Sequence, residues 1–327
     1  MVETRIIWVD YLKVILMYFI VWGHCRFIPE ILNTVIYSFH VGAFFVLSGF
    51  LHKDIYLNKI YILKIVRSLL LPILILNVLI YPLFLVYLRT YTFEDLIIKP
   101  LLGLLFFKNT YATPIVTTGW FVMVLFIIKF CAPYFSSLKN VTIFITIMIN
   151  IVIAYYLTSN LNQGLFLIEK SFLFMPFFLM GLLLKRRFSF FERRSLAVFT
   201  ISSILFLLAT YLNGMIDLWQ GVYKSLLGAY ISGVSGFLIL MYIFKYFAKN
   251  SYICILNISV GTLIIMAYHK YLLRILGWFY EKIPFLPEYG LLKSVLLTTI
   301  TIILCYQIII FCLKHFPVVV GKEIKYV

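Results

Sequence analysis

Residues 5–24 read RIIWVDYLKVILMYFIVWGH, and this stretch decides the class of fold. Its apolar run is long enough to cross the hydrocarbon core of a bilayer as a helix of about 20 residues. The same stretch carries Asp10, Lys13 and His24, polar residues that are costly to place inside a membrane. Such residues commonly serve chemistry or transport, so the stretch predicts a membrane helix that contributes to a functional site.

The composition of the whole chain agrees with its first helix. Hydrophobic residues make up 64% of the 327 residues, charged residues make up 12%, and the mean hydropathy is +1.05. These values exclude a soluble globular protein. The formal net charge of +16 is interpreted through membrane topology and lipid headgroups, not nucleic acid, and basic residues on the outer side could also meet anionic glycans.

The hydropathy pattern predicts an all-α polytopic membrane protein with about ten transmembrane helices in one domain, residues 1–327. The predicted spans are Ile6–His24, Thr34–Leu51, Ser68–Leu88, Val116–Ala132, Val141–Leu157, Ser171–Leu184, Leu196–Leu212, Ser225–Phe244, Ile253–Leu276 and Tyr289–Leu313. A further helix, Leu96–Phe107, is expected to lie beside the membrane. No small-residue cleavage site follows the first apolar run, so no cleavable signal peptide is expected.

The distribution of basic residues predicts the orientation. Ten spans place both termini on one side, and with cytoplasmic termini the inner loops and tails hold 16 basic residues against ten on the outer side. Cytoplasmic segments usually carry the excess of Lys and Arg, so both termini are predicted to be cytoplasmic. The sequence does not indicate an oligomeric state.

The cysteines do not form a metal-binding pattern. All five lie in or beside predicted spans without paired spacing, and they are expected to be small apolar packing residues: Cys25, Cys131, Cys254, Cys305 and Cys312. No metal is therefore expected.

Helix geometry places the polar residues of the first span on one stripe. Lys13 and His24 are eleven residues apart, which separates them by about 20° in direction and about 16 Å in height. Asp10 lies one turn closer to the cytoplasmic end, where pairing with Lys13 would lower the cost of burying both charges. A neutral imidazole in such a span suits a general base for a hydroxyl acceptor. A histidine that only bonds a neighbouring helix is an equally good interpretation of His24 from this stretch alone.

Later segments add further candidates. His40 and Ser48 lie on the second span, where His40 is predicted to sit at a depth similar to that of His24. Lys64 and Arg67 share a helix face at the inner boundary of the third span and could clamp phosphates. Trp120 begins another span. Each also has an ordinary interpretation, as a packing residue, a topological anchor or an interfacial aromatic residue.

Taken together, DYLKVILMYFIVWGH, FHVGAFFVLSGFL, KIVRSLLLP and TTGWFVMVLF resemble the membrane-bound acyltransferase-3 family in letters, order and spacing. The short form of the chain is similar to the single-domain fucose or polysaccharide O-acetylase branch. SVGTLIIMAYHKYL is similar to the serine-then-histidine pattern of the ninth span, here Ser259 and His269. The resemblance is dense over residues 8–72 and sparse afterwards. The family's Arg-x10-His and Arg-x-x-Arg elements fall on Lys13 with His24 and on Lys64 with Arg67.

The resemblance implies a membrane O-acetyltransferase of the inner (plasma) membrane. It would move an acetyl group from cytoplasmic acetyl-CoA to a sugar hydroxyl of a lipid-linked or polymeric glycan. Lys13, Lys64 and Arg67 would hold the donor, although lysine at two of these positions lacks the guanidinium fork. His24 would act as general base or as a covalent acyl relay, with His40, Trp120 and His269 as candidate donors to the oxyanion. Asp10 and Ser48 would support the site.

Two other functions fit a basic polytopic protein. A transporter or flippase of lipid-linked glycan could use the intramembrane charges as a substrate path. A polysaccharide polymerase is the second alternative, but the outer loop from Arg89 to Ile115 contains a single arginine. The sequence leaves open succinyl in place of acetyl, and it does not identify the acceptor sugar.

Overall fold

The computed structural model describes residues 5–85, 92–106, 116–160, 167–282 and 290–322. Within these ranges the regular elements are helical, apart from one bridge between Asp217 and Val222. The all-α prediction is therefore confirmed. The ends of three predicted helices, at residues 86–88, 107 and 289, lie outside the described residues.

The α-helices are, in order, α1 Ile7–Gly23, α2 Glu30–Phe50, α3 Lys59–Ile65, α4 Leu71–Leu85, α5 Lys99–Phe106, α6 Gly119–Ser136, α7 Asn140–Asn160, α8 Ile168–Arg186, α9 Phe188–Arg193, α10 Ser195–Asn213, α11 Leu226–Phe247, α12 Ile253–Val260, α13 Thr262–Tyr280 and α14 Gly290–His315. A π-helical turn, Val66–Leu70, joins α3 to α4, and a second one, Glu94–Ile98, leads into α5.

The predicted count of about ten spans is not confirmed. Within the described residues, seven helices are long and apolar enough to cross a membrane, and eight if the bent pair α12–α13 is one span. The difference lies mainly in α1 and α8. Helix α1 has only 17 residues, which is short for a span. Helix α8 carries Glu169, Lys170 and Lys185 near its ends, and these charges make it less apolar than a typical lipid-spanning helix.

The predicted ninth span, Ile253–Leu276, is a broken helix and not a straight one. Helices α12 and α13 meet at Gly261 with a bend of 82°. A side chain at Gly261 would collide with Ile309 of α14, which explains why glycine stands at the bend. Broken helices expose backbone groups, so they occur inside membrane proteins where protein or a cavity covers them.

Helix α1 lies at the centre of the part of the bundle that carries the polar residues. It contacts α2, α11, α12, α13 and α14. Leu12, Leu16 and Val21 on this helix are fully buried. Neighbouring helices therefore shield the polar stripe of α1 from lipid, as the cost of intramembrane charge requires.

Helices α2 and α8 pack at backbone contact. A Cβ atom on Gly49 would overlap the carbonyl oxygen of Phe178, and a Cβ atom on Gly181 would overlap the carbonyl of Val46. Small residues allow such close approach of helices in membranes. This contact fixes α2, which carries His40 and Ser48.

We expect Gly49→Ala to lower the free energy of unfolding by roughly 1–3 kcal/mol, because a backbone carbonyl cannot move aside without separating two helices. Thermal unfolding of the purified protein in detergent measures the effect. Gly277→Ala is the matched control, since the atom of Phe27 nearest to its added Cβ lies 3.5 Å away. Equal melting temperatures for the two variants would contradict the packing argument.

Candidate functional site

A cavity of about 1390 Å³ lies at the end of the bundle where α1 begins, and we refer to it as the large cavity. It exceeds the range of about 300–1,000 Å³ that is typical for small-molecule sites. The cationic residues in its wall are Arg5, Lys13, Lys53, Lys129 and Lys185. Asp10 also lies in the wall. The large cavity is thus suited to an extended, polyanionic ligand.

The stripe predicted on α1 forms part of this wall. Asp10, Lys13, Met17 and Ile20 all line the large cavity, at the spacing of one helix face. His24 follows Ile20 by one further turn, about 6 Å along the helix axis. It lines a separate cavity of about 440 Å³, which we refer to as the small cavity. The stripe therefore leads from one cavity to the other.

Asp10 pairs with a residue that the sequence did not indicate. The guanidinium of Arg5 donates to both carboxylate oxygens, at 2.6 and 2.8 Å, and Ser259 Oγ donates to the same carboxylate at 2.5 Å. The predicted Asp10–Lys13 ion pair is wrong: Lys13 interacts with Asp10 electrostatically but makes no ion pair within 4 Å in the described ranges. The fork of Arg5 matches two oxygens and leaves the Lys13 ammonium available.

Lys129 on α6 is a cavity residue that sequence analysis missed. Its ammonium interacts with Lys13 and Lys64, both of like charge, and no carboxylate partner of Lys129 occurs among the described residues. The only signal in the sequence was a lysine inside a predicted span, which is itself a mark of function. Lys13, Lys64 and Lys129 make no ion pair with a carboxylate within 4 Å among the described residues, which favours an anionic ligand.

The Lys64 and Arg67 pair lies beside the large cavity. Both side chains are exposed, and the residues that the π-helical turn contributes to the wall are Ser68 and Leu69. Ser48 of α2 also lines the large cavity. Of the sequence-predicted donor residues, Lys13 is thus in the cavity wall, whereas Lys64 and Arg67 are not. Lys64 interacts electrostatically with Lys129 of the wall.

His24 lies where the predicted residues converge. Its ring stacks on that of His269, with centroids 5.2 Å apart and planes 26° apart. The hydroxyl of Tyr37 lies 3.3 Å from His24 Nδ1. The ring of His40 is 5.1 Å from that of Tyr37. The structure therefore brings the three predicted histidines together, and it adds Tyr37. The sequence carried no signal for Tyr37, because a single tyrosine in an apolar span is common.

Hydrogen bonds to backbone carbonyls fix two of the three tautomers. A carbonyl only accepts, so the 2.6 Å contact with Ile36 O requires His40 Nδ1–H, and the 2.7 Å contact with Ile265 O requires His269 Nδ1–H. When neutral, both rings then carry a lone pair on Nε2. His269 Nε2 is buried and has no hydrogen-bond partner within the described residues. Neutral His40 and His269 are thus acceptors at Nε2, which does not fit the predicted role of oxyanion donor.

Trp120 also differs from its prediction as an oxyanion donor. Its ring stacks on that of Trp219, with centroids 4.5 Å apart, and it lines neither cavity. Lys170 Nζ donates to Trp219 O at 2.7 Å and holds that residue in place. The contacts of Trp120 are those of a support for the segment Gly214–Ser225. The same end of α6 is tied to α13 by Thr118, whose hydroxyl donates to Met266 O.

The cysteine prediction is confirmed in part. Cys25, Cys305 and Cys312 are buried and all five cysteines are free thiols, but Cys254 is exposed and does not pack in the core. Cys254 lies at the first turn of α12, where its side chain faces outward. No group of three or more His, Cys, Asp or Glu residues that could hold a metal occurs in the described part of the chain.

A helical membrane bundle with a histidine pair between two cavities defines a class of protein that can bring two substrates to one buried imidazole. The comparison with protein families then identifies the group: the acyltransferase-3 model, described as an acyltransferase domain, matches residues 6–313. The chain belongs to this family, and it is a membrane acyltransferase. Comparisons with curated proteins and with solved structures gave no match.

We expect Asp10→Asn to destabilise the protein by about 1–2 kcal/mol, since hydrogen bonds to a charged group are lost at a buried position. Asp54→Asn, an exposed carboxylate at the same end of the bundle, is the control and should leave the melting temperature unchanged. Thermal unfolding in detergent checks both variants. An Asp10→Asn protein as stable as wild type would show that the Arg5–Asp10–Ser259 network does not stabilise the fold.

Proposed function

We propose that the protein is an inner-membrane O-acetyltransferase that moves an acetyl group from cytoplasmic acetyl-CoA to a sugar hydroxyl of a cell-surface polysaccharide or its lipid-linked precursor. The observation that carries this proposal is the position of His24, stacked on His269 between two separate cavities. Family membership supports the acyl-transfer chemistry. Acetyl-CoA as the donor and a glycan hydroxyl as the acceptor are part of the proposal.

In this proposal the large cavity receives the donor from the cytoplasm. CoA carries a diphosphate and a 3′-phosphate, and Lys13 and Lys129 offer ammonium groups with no close ion pair in the described residues. Arg5 is less suited to phosphate because Asp10 occupies its fork. The pantetheine arm would extend along Met17 and Ile20 toward His24, a path of roughly 16 Å from Lys13.

His24 has the hydrogen-bond geometry of a base if its Nδ1–H donates to Tyr37 Oη, because Nε2 then carries a lone pair. In direct transfer, Nε2 takes the proton of the sugar hydroxyl as its oxygen attacks the thioester carbonyl. The C–S bond breaks, and the imidazolium returns the proton to the CoA thiolate.

In the relay route, Nε2 itself attacks and becomes acetylated, and CoA leaves as the thiol with a proton from solvent. The sugar oxygen then attacks the acetyl-imidazolium while the lone pair of His269 Nε2 accepts the hydroxyl proton. His24 departs as a neutral imidazole that keeps its Nδ1–H. His269 then returns the hydroxyl proton to water, which replaces the solvent proton that CoA took up. His269 therefore has a role in this route that direct transfer does not require.

Tyr37 supplies a donor near the reacting carbonyl. When its oxygen accepts from His24, its own proton remains available for an oxygen that develops negative charge. His40 supports Tyr37 through ring contact and does not itself reach either cavity.

The proposed acceptor approaches through the small cavity, on the side of the membrane opposite to the donor. A flippase or transporter is the alternative function. It would use the same intramembrane charges as a substrate path, but it gives no reason for a stacked histidine pair with an unpartnered Nε2. Succinyl-CoA as the donor would require the same chemistry.

His24→Ala should abolish acetyl transfer while leaving folded protein in the membrane, since both routes need its Nε2. The measurement is the O-acetyl content of the surface polysaccharide, by NMR, in cells that lack the chromosomal copy and carry wild type or variant at matched expression. Acetylation restored by the His24→Ala protein would refute the mechanism. Unchanged acetylation in every strain, with altered glycan amount or chain length, would favour the flippase.

Lys129→Gln should raise the KM for acetyl-CoA by roughly tenfold, the effect of losing one charge-assisted contact, with a smaller change in kcat. Lys139→Gln removes the same charge from an exposed position near the same end of the bundle and serves as control. Initial rates at varied acetyl-CoA with membrane-embedded enzyme distinguish the two constants. An unaltered KM in the Lys129 variant would exclude Lys129 from the donor site.

A further inference from the structure

The small cavity is lined by cations and by no carboxylate among the described residues. Its wall consists of His24, Cys25, Arg26, Phe27, Lys270, Leu273 and Arg274. The volume of about 440 Å³ falls within the range of about 300–1,000 Å³ found for ligand sites. A positive cavity that contains His24 concentrates anions at the reactive imidazole.

Lys270 is the cation best placed to act on a ligand. It follows His269 directly on α13 and interacts electrostatically with both His24 and His269. Its side chain is half-buried. Asp217 attracts it, but no carboxylate lies within the 4 Å of an ion pair in the part of the chain that the structure describes. Lys270 thus holds a charge close to the catalytic imidazole without a close counter-ion.

Arg26 has a partner and serves to shape the rim. It pairs with Glu281 beyond the end of α13, and its guanidinium lies 4.6 Å from the ring centroid of Phe27. Lys293 covers the same ring at 3.5 Å. Two cations are therefore fixed on the aromatic face of Phe27 at this mouth, and Glu281 balances the charge of Arg26.

Placing cations at this mouth opposes the usual topological preference. With both termini cytoplasmic, the small cavity faces outward, and Lys and Arg are normally depleted from outward segments. Headgroup contact explains cations on the lipid-facing surface but not one in a cavity wall beside a histidine. The charge at Lys270 is better explained by the ligand.

We propose that the acceptor is an anionic glycan, whose carboxylate or phosphate group binds Lys270 and so brings a neighbouring hydroxyl to His24. This inference rests on the proposed function and deepens it by naming the charge class of the acceptor. Uronic acid carboxylates and sugar phosphates share the chemistry that Lys270 recognises. Binding through Lys270 would also disfavour neutral sugars, because they leave its ammonium unpaired.

The test is a binding measurement on the full-length protein in phosphatidylcholine nanodiscs at physiological ionic strength, without phosphate buffer. Three probes are compared by saturation-transfer NMR and titration: methyl glucuronide, methyl glucoside 6-phosphate and uncharged methyl glucoside. The proposal expects at least one anionic probe to bind and the uncharged one to bind at least about tenfold more weakly. Preference between the two anionic probes separates a carboxylate acceptor from a phosphate acceptor.

Variants assign the site. Lys270→Gln should weaken binding of the anionic probe by about tenfold to hundredfold, the range of a lost charge-assisted hydrogen bond, and Lys270→Arg should largely retain it. Lys224→Gln, an exposed lysine outside the cavity wall, should bind as wild type does. Equal binding of the uncharged glucoside, or full affinity in a Lys270→Gln protein that melts as wild type does, would overturn the proposal.

The binding measurements do not depend on acyl transfer, so the anion site and the proposed function can fail separately. Charge-dependent binding at Lys270 in a protein that acetylates nothing would remove the proposed function and leave the anion site. Acetylation of an uncharged glycan in cells, with no selectivity for the anionic probes, would leave the function and remove the anion site.

Discussion

The need to shield Asp10 from lipid is the constraint on which the rest of the structure depends. A carboxylate in a membrane helix is tolerated when other groups satisfy it, and here Arg5 and Ser259 do so. Ser259 belongs to the short helix α12, so the network ties the start of α1 to the broken helix pair. After the bend at Gly261, α13 runs alongside α1 in the same direction, which brings His269 onto His24.

The fold was largely predictable because membrane helices follow from apolar length. Helices occur at all ten predicted places, with ends mostly within a few residues of the predicted ends. The count of spans was less predictable, since α1 and α8 carry charges that only their neighbours make acceptable. The bend at Gly261 could not be inferred, because an isolated glycine in an apolar run is compatible with a straight helix.

The site was predictable where helix periodicity decides it. The stripe from Asp10 through Lys13 to His24 needs nothing beyond 3.6 residues per turn, and its residues line the large cavity and then the small one. Tyr37 and Lys129 depend on which helix faces which, and no local pattern contains that information. The same holds for Arg5, whose fork takes the carboxylate that periodicity alone gave to Lys13. Resemblance supplied His269, and the structure supplied its tautomer.

The residues between the two cavities bear on how a thioester could be protected. Met17, Ile20 and Met266 line the large cavity toward the histidines, and each is at most 8% exposed. Side chains of this kind offer no hydrogen bonds to water, while the methionines are unbranched and can move to admit a ligand arm. In the proposed reaction, a donor arm in this apolar passage would displace solvent from the path to His24. Water would then compete poorly with the sugar hydroxyl for the acyl group. In the proposed reaction, the apolar residues between the two cavities are therefore as relevant to transfer as the histidines, because an imidazole open to water from both sides would catalyse hydrolysis instead.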